Sequence, residues 1–183
     1  LNVVASDGTN TDTEAIVVNV TDANDNSPVL SVATPYSVAE NTTTVATVTA
    51  SDADAGTTIT FSLSGTDAAD FALTTGGALT FAATPNFESP ADANTNNVYS
   101  ITATITDGTN TSTQDITVTV TDINDESPVL SVSTPYSVAE NTTSVGTVSA
   151  SDADAGTTIT FSLSGSASGD FAIESSSGVI TFN

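Results

Sequence analysis

Lys, Arg and His are absent from this chain while Asp and Glu together number 22, so its formal charge is -22. Neutralising nucleic-acid phosphates or the anionic headgroups of a membrane takes basic side chains, so both are excluded as direct partners. Cys is absent as well, which removes disulfide frameworks and thiolate metal sites and leaves the redox compartment unreadable. Without His, Cys or Lys the usual nucleophile–base pairs cannot be built, and only Asp/Glu pairs remain for glycosidase-type chemistry. The chain therefore reads as a non-enzyme. No apolar run approaches the roughly 20 residues that cross a bilayer, and no basic-then-apolar leader is present. The chain opens at Leu1 without an initiator methionine and stops at Asn183 just after a strand-like run, so it reads as a window on a longer protein.

What is present is ordered. Apolar residues make up 38% of the chain and charged residues only 12%, and the apolar ones recur periodically, unlike those of a disordered acidic tail. The chain also repeats itself with a period of 100 residues: Pro28–Gly65 matches Pro128–Gly165 at 34 of 38 positions. This is a tandem array. On that register residues 1–26 close one repeat, 27–126 form a complete one, and 127–183 begin a third.

Within residues 27–126, Val45-Val48-Ala50, Ile59-Phe61-Leu63, Leu79-Phe81, Tyr99-Ile101-Ala103-Ile105 and Ile116-Val118-Val120 alternate apolar with polar neighbours, the pattern of half-buried strands. Tyr36-Val38 and Phe71-Leu73 add two more. About seven strands in a repeat of this length predict an all-β fold of tandem seven-stranded, antiparallel Greek-key sandwiches. Asp107-Gly108 suits a tight turn between two strands, and Gly76-Gly77 accepts positive φ before Leu79. Ser89–Asn97 reads as an irregular surface connection without an assigned function. The aromatic residues Tyr36, Phe61, Phe71, Phe81 and Tyr99 read as core and not as a sugar-stacking platform.

The acids are placed, not scattered. Two joints read Asp22-Ala23-Asn24-Asp25-Asn26-Ser27-Pro28 and Asp122-Ile123-Asn124-Asp125-Glu126-Ser127-Pro128. Calcium takes six to eight oxygen ligands from carboxylates, amides and backbone carbonyls, and such joints supply all three. Asp52 and Asp54 stand two apart, so in extended chain both carboxylates project to one side. Carboxylates gathered at such a joint would repel one another unless a cation joined them.

These joints resemble the DxNDNxP linker of cadherins. Ala39-Glu40-Asn41 (with Glu140 in the next repeat), Asp52-Ala53-Asp54-Ala55-Gly56, Asn86-Phe87-Glu88 and Asp107 fall where the other cadherin-like motifs belong. The resemblance covers essentially the whole chain. It implies a cadherin/Ig-like sandwich and three Ca2+ ions per junction. At the second junction it implies Glu40, Asn86, Glu88, Asp122 and Asp125 as ligands from one side. From the other come Asp152, Asp154 and the backbone of Asn124, and the linker residues Ile123 and Glu126 complete the candidate set. At the first junction it implies Asp22, Asn24, Asp25, Asn26, Asp52, Asp54 and Asp107. Three departures lower the expectation to two to three ions per complete junction: Asn86 stands where cadherins carry Asp, Thr58 and Thr158 replace an Asn, and Glu126 replaces the second linker Asn.

Fourteen of the 22 acids fall on motif positions. The other eight, Asp67 and Asp92 among them, read as ordinary solvated charge. Asn19, Asn41, Asn110 and Asn141 each begin an N-x-S/T sequon. The resulting expectation is a calcium-rigidified stalk or filament at the surface of a microbial cell, serving adhesion. Calcium and neighbouring repeats are its partners, with other copies of the chain or a surface glycan as further candidates. The alternatives are a calcium-dependent carbohydrate-binding module and a filament subunit that polymerises by strand exchange.

Overall fold

The computed structural model describes residues 1–183, and the chain is all-β apart from two single turns of 3-10 helix at Ala68–Asp70 and Ser168–Asp170. No helix is long and apolar enough to cross a membrane. At the N-terminal end, β1 (Asn2–Ser6) and β2 (Thr11–Ala15) form an antiparallel hairpin.

The centre of the molecule is a sandwich of nine strand segments. They are β3 (Val29–Ser31), β4 (Tyr36–Ala39), β5 (Thr44–Thr47), β6 (Thr49–Ser51), β7 (Thr60–Ser64), β8 (Phe71–Leu73), β9 (Ala78–Phe81), β10 (Val98–Thr106) and β11 (Thr111–Thr121). One sheet runs β4-β11-β10-β7, and the facing layer contains β5-β9-β8 and β3-β6. Only Val48 separates β5 from β6, and β3 and β4 divide one strand path between the two layers, so seven paths remain, as the spacing of the apolar runs predicts.

The long hairpin β10–β11 shows why the strands form. Along β10 the side chains of Tyr99, Ile101, Ala103 and Ile105 are buried, and along β11 those of Ile116, Val118 and Val120, with polar residues between them. Alternation at period two sends every second side chain to the core, where each large apolar residue contributes about 1.5–3 kcal/mol of burial. Phe71, Phe81 and Tyr99 meet there, with Tyr99 edge-on to both phenylalanines at 5.5 and 5.2 Å between centroids. Tyr36 and Phe61 pack against the same core.

One pairing departs from the expected antiparallel arrangement: β4 runs parallel to β11, with Tyr36 opposite Val118 and Val38 opposite Val120. The chain leaves β3, which pairs with β6, and crosses to the other layer through residues 32–35 without reversing direction. Pro35 in that crossing has no N–H to offer a ladder. Alternation of apolar and polar residues carries no information about strand direction, so the sequence pattern could not distinguish the two senses.

Beyond residue 128 lie β12 (Val129–Ser131), β13 (Ser144–Thr147), β14 (Ser149–Ser151), β15 (Phe171–Ile173) and β16 (Val179–Phe182), paired as β12-β14 and β13-β16-β15. Tyr136–Ala139 and Thr160–Ser164 repeat the sequences of β4 and β7 but are not strands. In the central sandwich β4 and β7 are the edges of the sheet that β10 and β11 hold together.

Candidate metal centre

The linker between the N-terminal hairpin and the sandwich is tied down by carboxylates. Ala55 N–H donates to Asp22 Oδ2 at 2.6 Å and Asn26 N–H to Asp54 Oδ2 at 2.8 Å. Asp54 N–H in turn donates to Asp52 Oδ1 at 2.9 Å, so the Asp-x-Asp segment is folded upon itself instead of extended. Carboxylate oxygens of Asp52, Asp54 and Asp107 lie within 4.8 Å of one another. The Asn24 amide sits 2.8 Å from Asp107 Oδ2 and 3.2 Å from Asp54 Oδ2. Asp107 is positioned by its own turn: Thr109 and Asn110 N–H groups donate to its Oδ1 at 2.7 and 2.6 Å. These backbone donors, Asn110 foremost, hold its carboxyl below the usual range. Asn110 Nδ2 also donates to Asn26 O at 2.7 Å, joining that turn to the linker. Asp25 is exposed, with Oδ1 accepting from Asn26 Nδ2.

The second junction repeats the plan and adds the acids of the sandwich. Asp122 Oδ2 accepts the Ala155 N–H, Asp154 Oδ2 accepts the Glu126 N–H at 2.9 Å, and Asp152 Oδ1 accepts the Asp154 N–H at 3.0 Å. Glu40, at the end of β4, is 1% exposed. It is held between two segments: Oε1 accepts the Ile123 N–H at 2.9 Å and Oε2 the Phe87 N–H at 2.7 Å. Asn41 Nδ2 reaches Asp125 Oδ2.

Glu88 is the centre of the arrangement. It belongs to two groups whose carboxylate oxygens lie within 4.8 Å of one another, Glu40–Glu88–Asp122 and Glu88–Asp125–Asp154. Both Glu88 oxygens, Asp122 Oδ1 and Asp154 Oδ1 are buried without a hydrogen-bond partner, as is Asp52 Oδ2 at the first junction. Burial, and then the neighbouring carboxylates, raise the Glu88 carboxyl; burial and the charges of Asp152, Asp122 and Asp125 raise that of Asp154.

A chain without Lys, Arg or His has no cationic side chain to compensate these groups. The donor set is oxygen alone, from carboxylates and amides, and suits a hard divalent cation. The orphaned oxygens fit such an ion, since a bound cation supplies the partner that each lacks.

The remaining expected residues have the following surroundings. Asn86 Oδ1 accepts the Ser89 N–H at 2.6 Å and so caps a turn. Glu140 is exposed and belongs to none of the carboxylate groups. Glu126 contributes its backbone N–H while its side chain is exposed, and Asn124 is exposed.

Two acids read as solvated charge prove to be structural. Asp67, 5% exposed, accepts the Ala93 and Ser100 N–H groups, and Asp92, 2% exposed, accepts those of Asn96 and Asn97. They fasten the 89–97 connection onto the sandwich. Asn97 then donates through Nδ2 to Phe87 O at 2.8 Å, next to Glu88. Burial, then Asp67 and Asp92, raises the carboxyl of nearby Asp70. For Asp92 the available signal was an Asp followed four and five residues later by Asn96 and Asn97 inside a Pro- and Asn-rich stretch, since such carboxylates commonly cap their own turns; Asp67 bonds distant segments and carried no local signal.

Tandem β-sandwich units joined by acidic linkers define the structural class. No family model matches the chain. It is 36% identical to human Protocadherin Fat 1 over 98% of this chain and 4% of that protein, and 37% identical to Drosophila melanogaster Protocadherin-like wing polarity protein stan over 100% of this chain and 6% of that one. The solved structure of mouse Cadherin-23 EC22-24 superposes with a TM-score of 0.69 at 27% identity, covering 96% of this chain and 60% of that one. The repeat of this chain is a cadherin domain. It spans only a small part of the curated relatives it matches.

Proposed function

We propose that this chain is a length of extracellular rod whose joints are stiffened by Ca2+. In this reading residues 1–26, 27–126 and 127–183 are successive repeats. The observation that carries it is the set of buried, unpartnered oxygens on Glu88, Asp122 and Asp154 in a protein without a cationic side chain. Glu40, Glu88, Asp122 and Asp125 offer ligands from one side of the second joint, and Asp152 and Asp154 from the other. An ion shared across the joint ties the two units together, so its binding free energy becomes ordering free energy.

The work of the protein is then mechanical. Where calcium is scarce, carboxylate repulsion loosens each joint; at millimolar calcium successive sandwiches lock into line. Kinship with protocadherins supports a place at the cell surface and a part in adhesion, with neighbouring repeats and further copies of the protein as partners. The packing of Phe71, Phe81 and Tyr99 in the core favours this reading over a glycan platform built from those rings.

Titrating calcium into the protein while following small-angle scattering and thermal unfolding tests the reading. Extension of the scattering profile together with a higher melting temperature is expected. An unchanged shape and midpoint at millimolar calcium would overturn it.

A further inference from the structure

The two joints share the backbone hydrogen bonds around the Asp-x-Asp segment, and their linkers differ at the residue that donates to it. At the first joint, Asn26 N–H donates to Asp54 Oδ2 at 2.8 Å and its side-chain Nδ2 to Asp54 Oδ1 at 2.5 Å, so both oxygens of that buried carboxylate have a donor. The same amide reaches Asp25 Oδ1 at 3.1 Å. At the second joint, Glu126 N–H donates to Asp154 Oδ2 at 2.9 Å, yet its side chain has no proton to give. Asp154, 4% exposed, keeps Oδ1 buried and unpartnered. Otherwise the two linkers, Asp22–Pro28 and Asp122–Pro128, differ only in Ala23 against Ile123.

We propose that this linker residue sets how strongly each joint depends on calcium: Asn supplies a built-in donor that holds the joint partly closed without the ion, and Glu makes closure conditional on it. The proposal rests on the calcium reading above and adds to it a residue that grades the response.

The physical argument has two parts. A buried charged oxygen without a donor disfavours the ordered joint until a partner arrives, and an amide N–H is such a partner. Glu126 also adds one negative charge beside Asp125 and Asp154. That charge raises repulsion in the free joint and attraction for a divalent cation. Both effects act in the same direction, so the Glu joint gains more from calcium than an Asn joint does. In an array of near-identical repeats, exchanging this one residue would let joints loosen in sequence as calcium falls.

The test compares the full chain with Glu126→Asn, Glu126→Ala and the reciprocal Asn26→Glu, recording thermal midpoints in a chelator and across a calcium titration. Glu126→Asn should raise the chelator midpoint, shrink the gain produced by calcium, and shift the half-effective calcium concentration upward by about tenfold, the scale of one hydrogen bond to a charged group. Glu126→Ala, which removes the charge without supplying a donor, should move less than half as far, and Asn26→Glu should move the opposite way. If Glu126→Asn matches the parent while the parent responds to calcium, the proposal fails and the calcium reading stands. If Glu126→Ala equals Glu126→Asn, the amide is not the cause and the proposal also fails. A parent chain indifferent to calcium overturns the calcium reading itself.

Discussion

The carboxylate of Glu40 and the backbone N–H of Ile123 meet at 2.9 Å across 83 positions of sequence. Through its other oxygen Glu40 also holds the Phe87 N–H at 2.7 Å, so one buried side chain fixes both the exit of β11 into the linker and the segment that carries Glu88. Replacing it by alanine leaves two backbone donors without an acceptor, at a cost of about 3 kcal/mol. We expect Glu40→Ala to lose that much stability in urea unfolding in the presence of chelator and more in calcium. Equal unfolding curves for variant and parent would mean that Glu40 is not a clamp.

The pH response should reverse on adding calcium. In the calcium-free chain Glu88 and Asp154 are raised, by burial first and by neighbouring carboxylates next. A carboxyl raised on folding contributes stability that is fully present below its unfolded pKa and is lost as pH rises through the folded value. The free joint therefore weakens between about pH 4 and neutrality. Asp7 and Asp107, held low by the N–H groups of their turns, contribute stability above their unfolded pKa and lose it only below about pH 4, outside this window. Calcium needs ionised ligands, so protons compete with it and the loaded joint weakens as pH falls. The melting midpoint should be higher at about pH 5 than at about pH 7.5 in chelator, with the opposite order in calcium; slopes of the same sign in both would contradict the metal assignment.

The strands of the central sandwich were legible because their period is local: Tyr99, Ile101, Ala103 and Ile105 point inward at alternate positions, as do Ile116, Val118 and Val120. Pairing is not local. The sequence Tyr-Ser-Val-Ala is a strand at 36–39 beside β11 and not at 136–139, and Thr-Phe-Ser-Leu-Ser is a strand at 60–64 beside β10 and not at 160–164. The joints were legible in outline because Asp-x-Asp and Asp-x-Asn-Asp concentrate oxygen at the ends of the repeats. What escaped was the division of labour among acids. Whether a carboxylate is left buried without a donor, as at Glu88, or accepts backbone N–H groups, as at Asp92, depends on which distant segment covers it, and composition is the same in both cases. Asn86 shows the converse, a residue expected as a ligand whose side-chain oxygen accepts an N–H within its own turn.

Asp92 gives that distinction a measurable form. Its two oxygens accept the Asn96 and Asn97 N–H groups at 3.0 and 3.1 Å in a buried setting, so Asp92→Ala should cost about 2 kcal/mol. Because this carboxylate serves the backbone, the loss of stability should be nearly the same in calcium and in chelator. A loss confined to the calcium-loaded protein would place Asp92 among the metal ligands instead.

Gly77 tests the packing between the two turns that brace the sandwich. It adopts a φ of +81°, and a Cβ built there would lie 1.9 Å from Val48 O. Its own carbonyl accepts the Val48 N–H at 2.7 Å at the point where β5 gives way to β6. Alanine therefore meets both an unfavourable backbone conformation and a rigid backbone atom, and relieving the clash moves Gly77 away from the bond it makes. Gly77→Ala should destabilise the protein by more than about 1 kcal/mol, the scale for a non-glycine residue forced to positive φ. Gly76→Ala is the control: Gly76 lies outside the positive-φ region, and its Cβ would meet nothing closer than Thr74 Oγ1 at 3.9 Å. A chemical-denaturation comparison should find the neighbour near parental stability. If both alanines unfold alike, the close approach at Val48 does not determine the cost.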